Sequence, residues 1–212
     1  MRSWLPACAV LAGALLSGCA SPPPIIRSQV TTFHEWPATL PSKNYVFERT
    51  KEQDNNLEYR SYENLVRNEL NRLGFTETPP GGTPALKANF DYGISVRDVR
   101  VVYPVASDPY WSSPWPYWRR YRGPFYDPFW YGPPVVEQRE ANFELYTRRF
   151  HVTLADMPGG RKLYDTTVVS EGQNPSLAYV MPYLVRSAFA EFPGPSGVPR
   201  VIELQGENLP GP

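Results

Sequence analysis

Between Leu86 and Val96 every second residue is apolar. Leu86, Ala88, Phe90, Tyr92, Ile94 and Val96 alternate with Lys87, Asn89, Asp91, Gly93, Ser95 and Arg97. A period of two sends the two sets to opposite faces of a strand, so one face must meet a core and the other water. After Asp98 the apolar parity shifts to Val99, Val101 and Tyr103. A shift of parity needs one extra residue, which predicts a bulge or strand break near Arg97–Asp98.

Other strand signals surround this one. Val30–Trp36 and Asn44–Arg49 are short runs rich in aromatic and β-branched residues. Residues 141–155 and 162–170 read as a hairpin, with Phe150, Val152 and Leu154 on one face and Arg149, His151 and Thr153 on the other. Its turn, Asp156 to Arg161, puts Pro158, Gly159 and Gly160 where fixed and positive φ are needed. Val201–Leu204 is a last short strand.

Two helices interrupt the strands. Tyr62, Leu65, Val66, Leu70 and Leu73 recur at helical spacing, with Asn64, Arg67, Asn68 and Arg72 opposite. Asn55 and Glu58 form the expected capping pair, and Gly74 suits the left-handed position past the end. The second helix is expected to start at Asn174-Pro175 and to bury Leu177, Val180, Met181, Leu184, Val185, Ala188 and Phe189. Pro182 removes an interior hydrogen bond, so either the helix kinks there or its regular part begins there. The order β-β-α-β-β-β-α-β predicts an α+β fold: a two-layer domain of mostly antiparallel sheet with both helices on one face.

One segment breaks this pattern. From Tyr103 to Pro134 twelve aromatic residues interleave with eight prolines. Those prolines forbid a helix or a central strand, yet the aromatics are too apolar for a solvated linker. Three roles are open to it: a cover folded over an apolar sheet face, a surface for a protein or peptidoglycan partner, or a contact with a membrane leaflet. Its candidate partner-binding residues are Tyr110, Trp111, Trp115, Tyr117, Trp118, Arg119, Arg120, Tyr121 and Trp130. The arginines beside Trp118 and Tyr121 suit stacking on rings or an anionic surface.

The N-terminus reads as an export signal. Arg2 precedes an apolar run from Leu5 to Leu16, too short to cross a bilayer. Leu16-Ser17-Gly18-Cys19 resembles the lipobox of bacterial lipoproteins. That resemblance implies cleavage before Cys19, a diacylglycerol on its thiol and an acyl chain on its new amine. It also implies outer-membrane sorting, because Ala20 is not the Asp that favours inner-membrane retention. The expected organisation is a signal peptide at 1–18, a Pro-rich tether at 19–27, one α+β domain at 28–204 carrying the 103–134 insertion, and a tail at 205–212.

Composition narrows the chemistry. Lys+Arg and Asp+Glu are equal at 21, so the chain has no electrostatic footprint for nucleic acid. The two cysteines are Cys8, in the signal, and Cys19, so thiolate catalysis, disulfides and Cys metal sites are not expected in the mature chain. His34 and His151 lie in different strands without metal-ligand spacing, and read as ordinary exposed or satisfied histidines. No Gly-x-Ser-x-Gly elbow supports a serine triad, and the glycine-containing stretches lack the context of a phosphate cradle. No catalytic residue and no cofactor beyond the covalent acyl groups is expected.

The strand Thr32-Phe33-His34-Glu35-Trp36, the helix Leu65 to Phe75, the alternating 85–96 strand, a Tyr/Trp-rich insertion and a hairpin before the last helix together resemble a bacterial lipoprotein family. It is known as domain of unknown function four-one-three-six. The resemblance implies a lipid-anchored envelope protein with no established activity, and no functional residues carry over from it. The leading expectation is therefore a non-catalytic periplasmic binding or scaffolding module, held on the membrane by its lipid anchor and touching an envelope protein or peptidoglycan. The alternatives are a carrier or sensor of a small apolar ligand or lipid and, with least support, a glycan-active enzyme.

Overall fold

The computed structural model describes residues 23–40, 42–107 and 135–207. Strands dominate: β1 (Ile25–His34), β2 (Asn44–Phe47), β3 (Thr76–Glu77), β4 (Leu86–Ser107), β5 (Val135–Asp156), β6 (Lys162–Gly172) and β7 (Arg200–Gln205). Helices α1 (Lys51–Asp54), α2 (Leu57–Arg72) and α3 (Leu177–Ala188) separate some of them. The seven strands form one mixed sheet in the order β3-β2-β4-β5-β6-β1-β7. β2 runs parallel to both β3 and β4, while β1 runs antiparallel to β6 and β7.

The α+β class holds, but the expected layout needs correcting. The molecule is a sheet-dominated mixed structure with three helices, in place of a mostly antiparallel sheet with two helices on one face. The additions are α1 and β3, both too short for periodicity to register. Thr50 starts α1 by a reciprocal capping box with Gln53, which leaves Asn55 as the C-cap of that helix. The cap of α2 is consequently Asn56, whose Oδ1 accepts the Tyr59 N–H at 3.1 Å. Gly74 follows α2 at φ 82°, as its position required. The cap of α3 is Ser176, two residues past the expected Asn174, and its Oγ accepts the Tyr179 N–H at 3.2 Å. The helix runs through Pro182.

The chain divides into two compact units. The first comprises residues 1–93, 148–170 and 176–212. Its core joins Tyr59, Tyr62, Val66 and Leu70 of α2 and Val180, Met181, Leu184 and Val185 of α3 to alternate strand residues. Val30, Tyr45, Leu86, Phe90, Phe150, Leu154, Tyr164 and Val168 are among these strand contributions. β1 begins inside the stretch read as tether, because Ile26 reaches this core and Ile25 pairs with Gln205 of β7. The β5–β6 turn closes with Asp156 donating to the Arg161 carbonyl at 2.9 Å, and Gly160 takes φ 71°.

The second unit comprises residues 94–147 and 171–175. Within its described residues, β4 runs unbroken through Arg97–Asp98, so the expected strand break is absent. From Ile94 to Pro104 residues of both parities are exposed or half-buried. The change of apolar parity therefore answers to no core. Arg97 donates to Glu171 at 3.2 Å, Thr147 donates to the same carboxylate at 3.2 Å, and Arg100 pairs with Glu140.

Candidate functional site

The nine aromatic and arginine residues singled out between Tyr110 and Trp130 lie outside the described residues, as does Cys19. Two polar constellations within the first unit are described, and neither was anticipated as a site.

The first surrounds Glu63. It sits on α2 in register with Tyr59, Val66 and Leu70, and only 4% of it is exposed. Arg49, just past β2, donates through Nη2 to Glu63 Oε1 at 2.7 Å and through Nε to Oε2. Arg67, one turn along the helix, donates to Glu63 Oε1 at 2.7 Å and to Glu77 of β3 at 2.6 Å. Both guanidiniums also lie over the Phe47 ring, at 5.8 and 5.4 Å from its centroid. The hydrogen bond to Glu63 raises the Arg49 pKa, and that to Glu77 raises the Arg67 pKa. A cavity of about 300 Å³ opens here, lined by Arg49, Asp54, Arg60, Glu63, Asn64 and Arg67. An incoming anion would have to displace carboxylates already in place, so the arrangement is a tie between α2, β2 and β3. The sequence did hold a signal for it: a carboxylate on an apolar helical stripe with an Arg four residues on.

The second is centred on His151 of β5. Its Nδ1 lies 2.6 Å from Asp91 Oδ2 of β4, and its Nε2 lies 2.7 Å from Asp165 Oδ1 of β6. Lys162 donates to the other Asp165 oxygen at 2.8 Å. Ionised carboxylates only accept, so both ring nitrogens carry protons. An imidazolium with both N–H groups engaged has no lone pair left for general-base work, and it ties three strands together. Burial acts to raise the Asp165 pKa, but the hydrogen bonds from Lys162 and His151 outweigh it and hold the carboxyl below its usual range. His34 is satisfied differently, within 2.8 Å of the Gly194 carbonyl and 3.3 Å of the Trp36 N–H. The reading of both histidines as satisfied agrees with these contacts.

Among the described residues no group of three or more His, Cys, Asp or Glu is placed to hold a metal ion. No described helix is long and apolar enough to cross a membrane.

No curated protein matches the chain. Among solved structures, a PDZ domain protein from Parabacteroides distasonis aligns with TM-score 0.48 and 13% identity, over 92% of this chain and 42% of that one. The chain thus spans less than half the length of that neighbour. A PelC dodecamer from Paraburkholderia phytofirmans aligns with TM-score 0.38 and 13% identity, over 77% of this chain and 95% of that one. The family model of the domain of unknown function DUF4136 matches residues 29–194, and the chain belongs to that family.

Proposed function

We propose that the chain is a lipid-anchored, non-catalytic binding module of the bacterial envelope. In this reading Cys19 carries the acyl groups, the protein faces the periplasm from the outer membrane, and β4 and β5 present the segment between them to an envelope protein or peptidoglycan. The observation that carries it is the second unit. Two long strands leave a well-packed core with both faces exposed, an arrangement that does nothing for packing and serves presentation. The full hydrogen-bonding of His151 and Glu63 agrees with a protein that binds and does not turn over a substrate. The cavity beside Glu63 is lined by ionised and amide groups, which gives an apolar ligand nothing to replace its lost water with.

Two measurements test this. Cys19→Ser moves the protein from the membrane fraction to the soluble periplasmic fraction; retention on the membrane removes the anchor. Deleting residues 108–134 abolishes co-sedimentation with purified peptidoglycan sacculi or cross-linking to an envelope protein. Unchanged binding by the folded deletion variant overturns the role given to the segment.

A further inference from the structure

The second unit carries apolar side chains that no core takes up. Val136 is 60% exposed and Val96 57%, and Ile94, Val101, Val102 and Tyr103 are exposed as well. Its described arginines are largely occupied, Arg97 by Glu171 and Arg100 by Glu140. Charge therefore gives this surface little hold on an anionic partner, and apolar transfer is what it offers.

The strand register says where the chain arrives from its N-terminal side. In the first unit Gln29 pairs with Val169, and Ser170 Oγ donates to the Arg27 carbonyl at 2.8 Å. Ile25 therefore lies at the end of the sheet where β6 passes from Ser170 into Glu171, which is where the second unit begins. Cys19 precedes Ile25 by six residues, among them Pro22, Pro23 and Pro24. At about 3.1 Å per residue in polyproline II, that tether spans roughly 19 Å. The β4 segment from Ile94 to Ser107, at about 3.3 Å per residue, is roughly 45 Å long. The acyl chains thus hold the root of the second unit closer to the bilayer than its own strands are long.

The geometry points to a second, apolar membrane contact: Val101, Val102, Tyr103 and Val136 enter the headgroup–acyl boundary of the leaflet that holds Cys19. The inference rests on the lipid-anchor reading. Tethering makes the second contact intramolecular, so a patch too small to bind free vesicles engages once the anchor is in place. Tyr103 adds a ring with a polar tip, suited to the headgroup level.

The mature lipidated chain has no free thiol, so single cysteines report cleanly. Val136→Cys, Tyr103→Cys and, as a control in α1, Lys51→Cys are labelled with an environment-sensitive fluorophore. The acylated full-length proteins are placed in phosphatidylethanolamine–phosphatidylglycerol vesicles with and without brominated acyl chains. Labels at 136 and 103 are expected to shift to the blue and to lose roughly half their emission to bromine, while the label at 51 is unchanged. Flotation with labels at 136 and 103 as wet and unquenched as at 51 overturns the contact and leaves the anchor standing. A blue-shifted but unquenched label means that a protein surface, such as a second copy, covers the patch, and it also overturns the contact. Failure to float removes the anchor and this inference with it. All three positions are exposed, and matching circular dichroism confirms the folds; Val136→Cys decides alone if Tyr103→Cys perturbs its strand.

Discussion

Glu63 occupies a helix position whose neighbours Tyr59, Val66 and Leu70 are all buried, and it is kept ionised there by two guanidiniums. Glu63→Gln leaves Arg49 and Arg67 facing each other across a neutral amide. Fully buried pairs lose about 3–5 kcal/mol when one partner goes. The guanidiniums here are 33% and 27% exposed, so solvent offsets part of that, and a loss of about 2 kcal/mol in urea unfolding is expected. Asp165 makes a pH-dependent contribution. Its native pKa lies below the unfolded value of about 3.9, so its stabilisation is complete above that pH and fades as pH falls through the native value. Asp165→Asn should therefore be less stable than the parent at neutral pH, with the difference narrowing in urea melts below about pH 4. Tyr45 and Tyr59 act at the other extreme. Burial, followed by Glu77 for the first and Glu63 for the second, pushes both phenols up to about 12. They stay protonated in the folded chain while the unfolded chain ionises near pH 10, so stability falls across that interval. A spectrophotometric titration should show them ionising only as the protein unfolds.

At the scale of elements, periodicity located strands and helices well and their ends less well. The alternation of Leu86–Phe90 and of Phe150–Leu154 corresponds to buried strand positions, and Tyr62, Val66 and Leu70 are buried on α2 as spaced. The caps slipped because adjacent asparagines offer equivalent side chains. Only the α1 turn set by Thr50 and Gln53 assigns Asn55 to one helix and Asn56 to the next. Asn56→Ala and Ser176→Ala should each cost about 1 kcal/mol, read as a lowered urea midpoint with unchanged slope. Asn55→Ala and Asn174→Ala should cost less, which checks the corrected caps. The shift of parity at Asp98 misled for a related reason. A period of two specifies a face only where one face is buried, and beyond Gly93 neither is.

At the scale of the molecule, every residue of the buried hydrophobic core belongs to the first unit. Replacing residues 108–134 with a short Asn-Gly turn should therefore leave thermal unfolding of that core within about 2 kcal/mol of the parent, because loop length enters stability only logarithmically. The same variant should lose partner binding, which separates presentation from folding. A large loss of stability on this replacement would instead make the segment a structural cover.

Export signal, neutral charge, absence of a free thiol and the identity of the main strands and helices follow from residue order alone, because each depends on local pattern or on composition. The parallel pairing of β2, the burial of Glu63 and the meeting of Asp91, His151 and Asp165 arise only when distant segments become neighbours in the sheet. Strand order is chosen by which faces bury the most apolar surface together, and no single stretch of sequence carries that sum.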